Sequence, residues 1–197
     1  LDTSTGGGLT NNATIRAADD IGPITVKGSI AGTSTADGTT RPVIGARGQE
    51  TPGPGATMDL AIKSLTVGGR IDRALILAGY ASTDSLTAGS NGNASIGPVR
   101  VGGDWIASSI SAGVNDTNNN GFGNDDLRIA GATLVARIAS ITIKGTVAGS
   151  AAPGDHFGFT AAHIGKFKSL GFTAPLTAAT NVIELSLVTG DVTIREV

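Results

Sequence analysis

The sequence predicts an all-β protein: a single-stranded, right-handed parallel β-helix (a β-solenoid) of about six or seven rungs. Three observations carry this expectation. A ten-residue phrase of strand type recurs along the chain, its apolar residues keep one parity, and a second short apolar element returns between the phrases. No segment combines a sustained 3.6-residue period with capping residues at both ends, so almost no helix is expected.

The phrase first reads Ile21-Gly-Pro-Ile24-Thr-Val26-Lys-Gly28-Ser-Ile30. It returns from Ile62 to Ile71, from Ile96 to Trp105 and from Ile138 to Val147, and a weaker copy opens at Ile164-Gly-Lys-Phe167. In the first copy Ile24, Val26 and Ile30 face one way, and Thr25, Lys27 and Ser29 the other. Gly28 takes an inward place, as do Gly69, Gly103 and Gly145 in the later copies. A missing side chain there lets the chain bend, so each phrase reads as two short strands meeting at a glycine corner. Trp105 stands where Ile30 and Ile71 stand, so a core role is expected rather than a sugar-stacking platform.

The second element is Thr14-Ile-Arg-Ala17, Val43-Ile-Gly-Ala46, Leu75-Ile-Leu-Ala78 and Ser109-Ile-Ser-Ala112. It reads as the third strand of each turn. Phrase starts are spaced by 41, 34, 42 and 26 residues. Constant rungs with variable surface loops give such unevenness. The variable stretches are Ser34 to Arg41, Gln49 to Thr57, Asp84 to Ala94 and Asn115 to Asp126, all rich in turn-forming residues. A single rung cannot bury its own apolar face. Stacking adds ~4.8 Å per rung and pairs each backbone with its neighbour, for a body on the order of 30–35 Å long.

One domain is expected over residues 1–197, with regular rungs from about 14 to 172 and closing strands from about 182 to 197. Ser169 falls where Val or Ile stood in earlier copies. The segments Val182-Ile-Glu-Leu185-Ser-Leu187 and Asp191-Val192-Thr-Ile194 alternate cleanly and read as the closing strands. Neither end carries an amphipathic capping helix. Open strand edges therefore raise self-association by end-to-end stacking as one reading.

Composition narrows the classes. Hydrophobic residues make up 40% but aromatics only 4%, so Ile, Val, Leu and Ala must build the core. The net charge of −2 offers no basic face to nucleic acid. Cysteine is absent, which excludes disulfides and thiolate metal sites. No apolar run approaches the ~20 residues of a membrane helix, so no membrane insertion is expected. The chain opens at Leu1-Asp2 without an initiator Met, as expected for a piece of a longer protein.

The best candidate for chemistry is Asp116-Thr-Asn118-Asn-Asn120-Gly121-Phe122-Gly-Asn124-Asp125-Asp126. Oxygen-bearing side chains at alternate positions, then a glycine sixth, follow the plan of an EF-hand loop. Asp116, Asn118 and Asn120 would ligate calcium through side chains and Phe122 through its carbonyl, with Asn124 and Asp126 completing the candidate set. Leu127 stands where the bidentate Glu belongs, with Asp125 or Asp126 as its substitute, and no helices flank the loop. Calcium binding, if present, is expected to be weak, because few ligands are charged. The plainer alternative is a solvated Asn/Gly/Asp turn.

The other candidates read as structural. His156 and His163, with Asp155 adjacent, read as surface turn residues or hydrogen-bonding partners rather than as a zinc site or a general base. Asp19, Asp20 and Asp59 lie nearest the rung starts, where paired carboxylates would serve polysaccharide cleavage. The rung-facing polar positions, however, are Thr25, Lys27, Thr66, Arg100, Thr142 and Lys144, a ladder without a carboxylate cluster. The run Gly6-Gly7-Gly8 lacks the Lys and helix of a phosphate loop. No catalytic residue is assigned, and no enzyme is expected.

The phrases resemble the Ile-Gly-Ser-Ile-Thr-Val-x-Gly repeats of very large surface proteins of planctomycete-type bacteria. Gly154-Asp155-His156-Phe157-Gly158-Phe159, the following Ile164-Gly-Lys-Phe167, and the ending Gly190-Asp-Val-Thr-Ile-Arg-Glu-Val197 resemble the same repeats. The resemblance implies an extracellular or cell-surface parallel β-helix segment with no established activity. The leading expectation is a non-catalytic structural or adhesion scaffold whose partners are glycans or other surface proteins. The alternatives are a carbohydrate-binding or polysaccharide-cleaving β-helix and a self-associating filament unit.

Overall fold

A computed structural model describes residues 7–35, 40–49, 51–178, 180–185 and 191–197. Among these the protein is all-β, without α-helix, and its main strands run parallel in three sheets. The Gly6 of the glycine run, Ser186 and Leu187 of the first closing segment, and Gly190 lie outside the described residues, as do parts of the loops beginning at Ser34 and Gln49.

The first sheet holds the first halves of the phrases. Ile21–Val26, Asp59–Val67, Ala94–Val101, Arg137–Ile143 and Phe167–Ser169 lie side by side in that order. The second sheet holds the segments beyond each glycine corner: Ile30–Ala31, Ile71–Asp72, Trp105–Ile106 and Val147–Ala148, preceded by Leu9–Thr10. The third sheet holds the element between phrases: Thr14–Ala17, Val43–Ala46, Leu75–Ala78, Ser109–Ala112, Phe157–Ala161 and Val192–Glu196. The chain visits first, second and third sheet in turn, and each visit lands beside the previous one. Among the described residues, the expected six or seven rungs compare with six parallel strands in the third sheet, five in the second, and five levels in the first, where His163–Ile164 and Phe167–Ser169 both lie beside Arg137–Ile143.

Register places like on like. Ile24 pairs with Leu65, Leu65 with Val99, Val99 with Ile141, and Ile141 with Phe167. In the third sheet Ile15, Ile44, Ile76, Ile110, Phe159 and Ile194 form one ladder. These inward side chains make the main core, where Ile76, Ile110 and Leu65 are 0% exposed. Each such burial contributes about 1.5–3 kcal/mol, larger than a net backbone hydrogen bond at about 1. Outward, Thr25, Thr66, Arg100, Thr142 and Lys168 form the polar ladder, and Ser169 keeps register with Ile143.

Trp105 is fully buried, its ring 4.9 Å from that of Phe159, which lies 4.9 Å from Phe167. Its indole Nε1–H donates to the Ser108 carbonyl at 2.8 Å, so its one polar atom is satisfied inside the core.

Strict alternation would leave one face of the third sheet in solvent. Instead Val43–Ala46, Leu75–Ala78, Ser109–Ala112 and Phe157–Ala161 are buried throughout. The long connections fold over that outer face. Val43, Leu75 and Leu77 pack there with Tyr80, Phe122 and Ile129 in a second, smaller core. The stretch from Asn115 to Asp126, expected as a solvated turn, therefore carries one anchor of a second layer, Phe122.

The end holding the last strands is partly covered. Phe172–Thr173 turns back antiparallel on Phe167–Ser169, and Val182–Glu184 lies antiparallel on Val192–Glu196. These antiparallel additions occupy the outermost edges of the first and third sheets, as edge protection requires.

Candidate functional site

The loop following Ser109–Ala112 is a hairpin rather than a helix–loop–helix. Val114 pairs with Arg128 and Asn115 with Leu127 in an antiparallel ladder that closes it at both ends. Three contacts hold the loop against the body. The Phe122 ring enters the second core, the Tyr80 hydroxyl donates to the Val114 carbonyl at 2.6 Å, and the His156 amide donates to the Asn120 carbonyl at 3.1 Å. Gly121 has φ +97°, and a Cβ there would stand 2.0 Å from the His156 carbonyl oxygen. Only glycine fits so close a backbone approach.

Within this frame Asp116, Asp125 and Asp126 each place a carboxylate oxygen within 4.8 Å of the others. Asp116 accepts the amides of Asn120 at 3.1 Å and Gly121 at 3.0 Å. Asp126 accepts the Gly123 amide through Oδ2 at 2.6 Å. The Asn118 amide group donates to Asp125 Oδ2. The structure thus brings together Asp116, Asp126 and Asp125, the last two being the residues offered in place of the missing Glu. Asn124 turns its Oδ1 to the Asp125 amide at 2.7 Å, and Leu127 is exposed.

Electrostatics concentrates on Asp126. It is 0% exposed, and its carboxyl is pushed from the ordinary 3.8 up to about 6. Burial is the main cause. The Gly123 amide opposes it, Asp116 and Asp125 add to it, and Arg195 opposes it. Tyr80 is raised by burial first, then by Asp116, Asp126 and Asp84. Beside the loop, Asp116, Gly121, Asp155, His156 and Arg41 line an open cleft of about 510 Å³.

The remaining candidates are dispersed. Asp59 is buried, accepting the Gln49 amide at 3.1 Å and the Asn91 side-chain amide at 2.7 Å. Asp20 is exposed, with its carboxyl raised by partial desolvation and by the fields of Asp19 and Asp59. His163 Nδ1 lies 3.2 Å from the buried Glu196, whose Oε1 also accepts the Ile164 amide at 2.7 Å. Sequence reasoning missed two buried asparagines. Asn91 Nδ2 donates to the Arg47 carbonyl as well as to Asp59, and Asn93 Oδ1 accepts the amides of Thr133 and Leu134. Their one signal was position, just before the third phrase.

Among the described residues, Asp116, Asp125 and Asp126 are the one group of three metal-capable side chains at such spacing. Comparisons with protein-family models, curated proteins and solved structures give no match for this chain.

Proposed function

We propose that the three sheets wrap into a right-handed parallel β-helix serving as a non-catalytic structural or adhesion segment of a larger extracellular or cell-surface protein. The observation that carries this reading is the six-strand ladder from Ile15 to Ile194. A stack in which every strand pairs with its neighbour resists bending, and load passes through many parallel hydrogen bonds. The side loops are the parts free to differ, and glycans or other surface proteins would meet the protein there.

The alternatives have less support. A polysaccharide-cleaving site needs carboxylates facing a groove. Asp59 is instead committed to Gln49 and Asn91, and the first-sheet ladder bears Thr, Arg and Lys. End-to-end filaments need open edges, and antiparallel strands occupy two of them at one end.

A glycan array combined with a pectin and alginate depolymerisation screen tests the proposal. The scaffold reading expects no bond cleavage. Cleavage that is lost in Asp59→Asn or Asp20→Asn would overturn it.

A further inference from the structure

We propose that Asp116, Asp125 and Asp126 form a calcium site in the hairpin. The proposal goes beyond the scaffold reading and stands on the geometry of this loop alone.

The first argument is spacing. Calcium takes oxygens at about 2.3–2.6 Å, so ligands on opposite sides of one ion stand about 4.6–5.2 Å apart. The three carboxylates meet within that limit.

The second argument is independent of the clustering. Asn120 Oδ1, Asp125 Oδ1 and Asp126 Oδ1 are all buried and have no hydrogen-bond partner. Asp126 belongs to a residue with 0% exposure. An unpaired buried acceptor costs about 1–3 kcal/mol, and more when charged. All three orphans are acceptors. The two aspartate orphans belong to the carboxylates of the cluster, where a cation supplies the missing partner.

The third argument is charge. Three carboxylates gather in one turn, and Arg195 is the basic residue whose field reaches Asp126. Arg41 lines the adjoining cleft. One guanidinium does not balance three carboxylates, whereas a divalent ion nearly does.

The ion class follows from the donors. All are hard oxygens, with no imidazole or thiolate among them, which disfavours zinc. The ligands come from one loop with adjustable side chains, and such sites suit calcium better than magnesium, which demands a near-ideal octahedron and holds its water.

Isothermal titration of the chelator-treated full chain with calcium chloride, run in parallel with magnesium chloride, tests the site. The expected result is one-site binding with Kd on the order of 10⁻⁴ M. In Asp125→Asn the affinity falls by about tenfold or more. This variant is chosen because Asp125 is partly exposed and its one side-chain bond is to Asn118. Terbium emission sensitised through Tyr80, and displaced by calcium, gives a second readout on the unmutated chain. Absence of both calcium heat and terbium emission from folded protein overturns the proposal. So does equal binding by Asp125→Asn, or magnesium binding as tight as calcium. If Asp125→Asn fails to fold, the displacement of terbium from the parent chain decides.

Discussion

Asn91 Nδ2 donates to Asp59 Oδ2 at 2.7 Å, and both side chains are buried at the start of adjacent first-sheet strands. The contact converts an acidic residue into a fastener. Asp59 also fixes the Gln49 amide, and Asn91 the carbonyls of Arg47 and Gln49. The connection between the third and first sheets is thereby tied to the next turn of the chain.

Removing that fastener should be costly. Asp59→Ala leaves the Gln49 amide without its acceptor and removes the shortest bond of Asn91 Nδ2, and should destabilise by about 2–4 kcal/mol. Asn93→Ala, which strips the amides of Thr133 and Leu134, should cost a similar amount. Urea unfolding measures both, and a loss below about 0.5 kcal/mol, typical of surface changes, would refute the assignment.

The ladders predict a sharp contrast between inward and outward positions. Ile76→Ala, in the middle of the third-sheet stack, should cost about 2–5 kcal/mol. Thr66→Ala, on the exposed first-sheet ladder, should change stability by about 0.5 kcal/mol or less. Thermal melts of the two variants check the pair.

The same phrase position should behave oppositely in two copies. A Cβ at Gly22 has nothing within 4 Å, whereas one at Gly97 would stand 2.0 Å from the Lys63 carbonyl oxygen. Gly22→Ala should therefore be near neutral, and Gly97→Ala should cost about 1–3 kcal/mol or more through overpacking. Chemical denaturation of both variants gives the comparison. Equal effects would contradict the stacking of the first-sheet strands.

Asp126 should leave a pH signature in chelator. Its carboxyl is raised to about 6 from the ordinary 3.8, so the folded state holds the proton more tightly than the unfolded state. Stability from this group is therefore lost as pH rises through about 6 and regained as pH falls below it. The full effect is at most about 3 kcal/mol. The parent should gain on Asp126→Asn between about pH 7 and about pH 5. A constant gap between their urea midpoints would contradict it.

Much of this architecture was legible in the residues. Period-two alternation marks which side chains of a strand turn inward, and Ile24, Val26 and Ile30 are buried as that pattern requires. Glycine corners end one strand and begin the next, so Ile21–Val26 and Ile30–Ala31 fall in different sheets. The loop's acidic ends were legible too, through Asp116 and Asp126. The EF-hand spacing also offered Asn124, whose side chain turns to the Asp125 amide, whereas Asp125, weighed for the missing Glu, lies in the cluster.

Repetition by itself determined the strands, their parity and their stacking partners, because a local pattern repeated along the chain needs no distant information to be read. Tertiary structure alone decided the rest. Phe122 became an anchor because the outer face of the third sheet offered Val43, Leu75 and Leu77 to cover. Gly22 and Gly97 parted ways because one lies on an outer strand and the other under a neighbour's carbonyl. Whether a loop residue is buried depends on what another loop leaves uncovered, and that is a property of the assembled chain rather than of any segment.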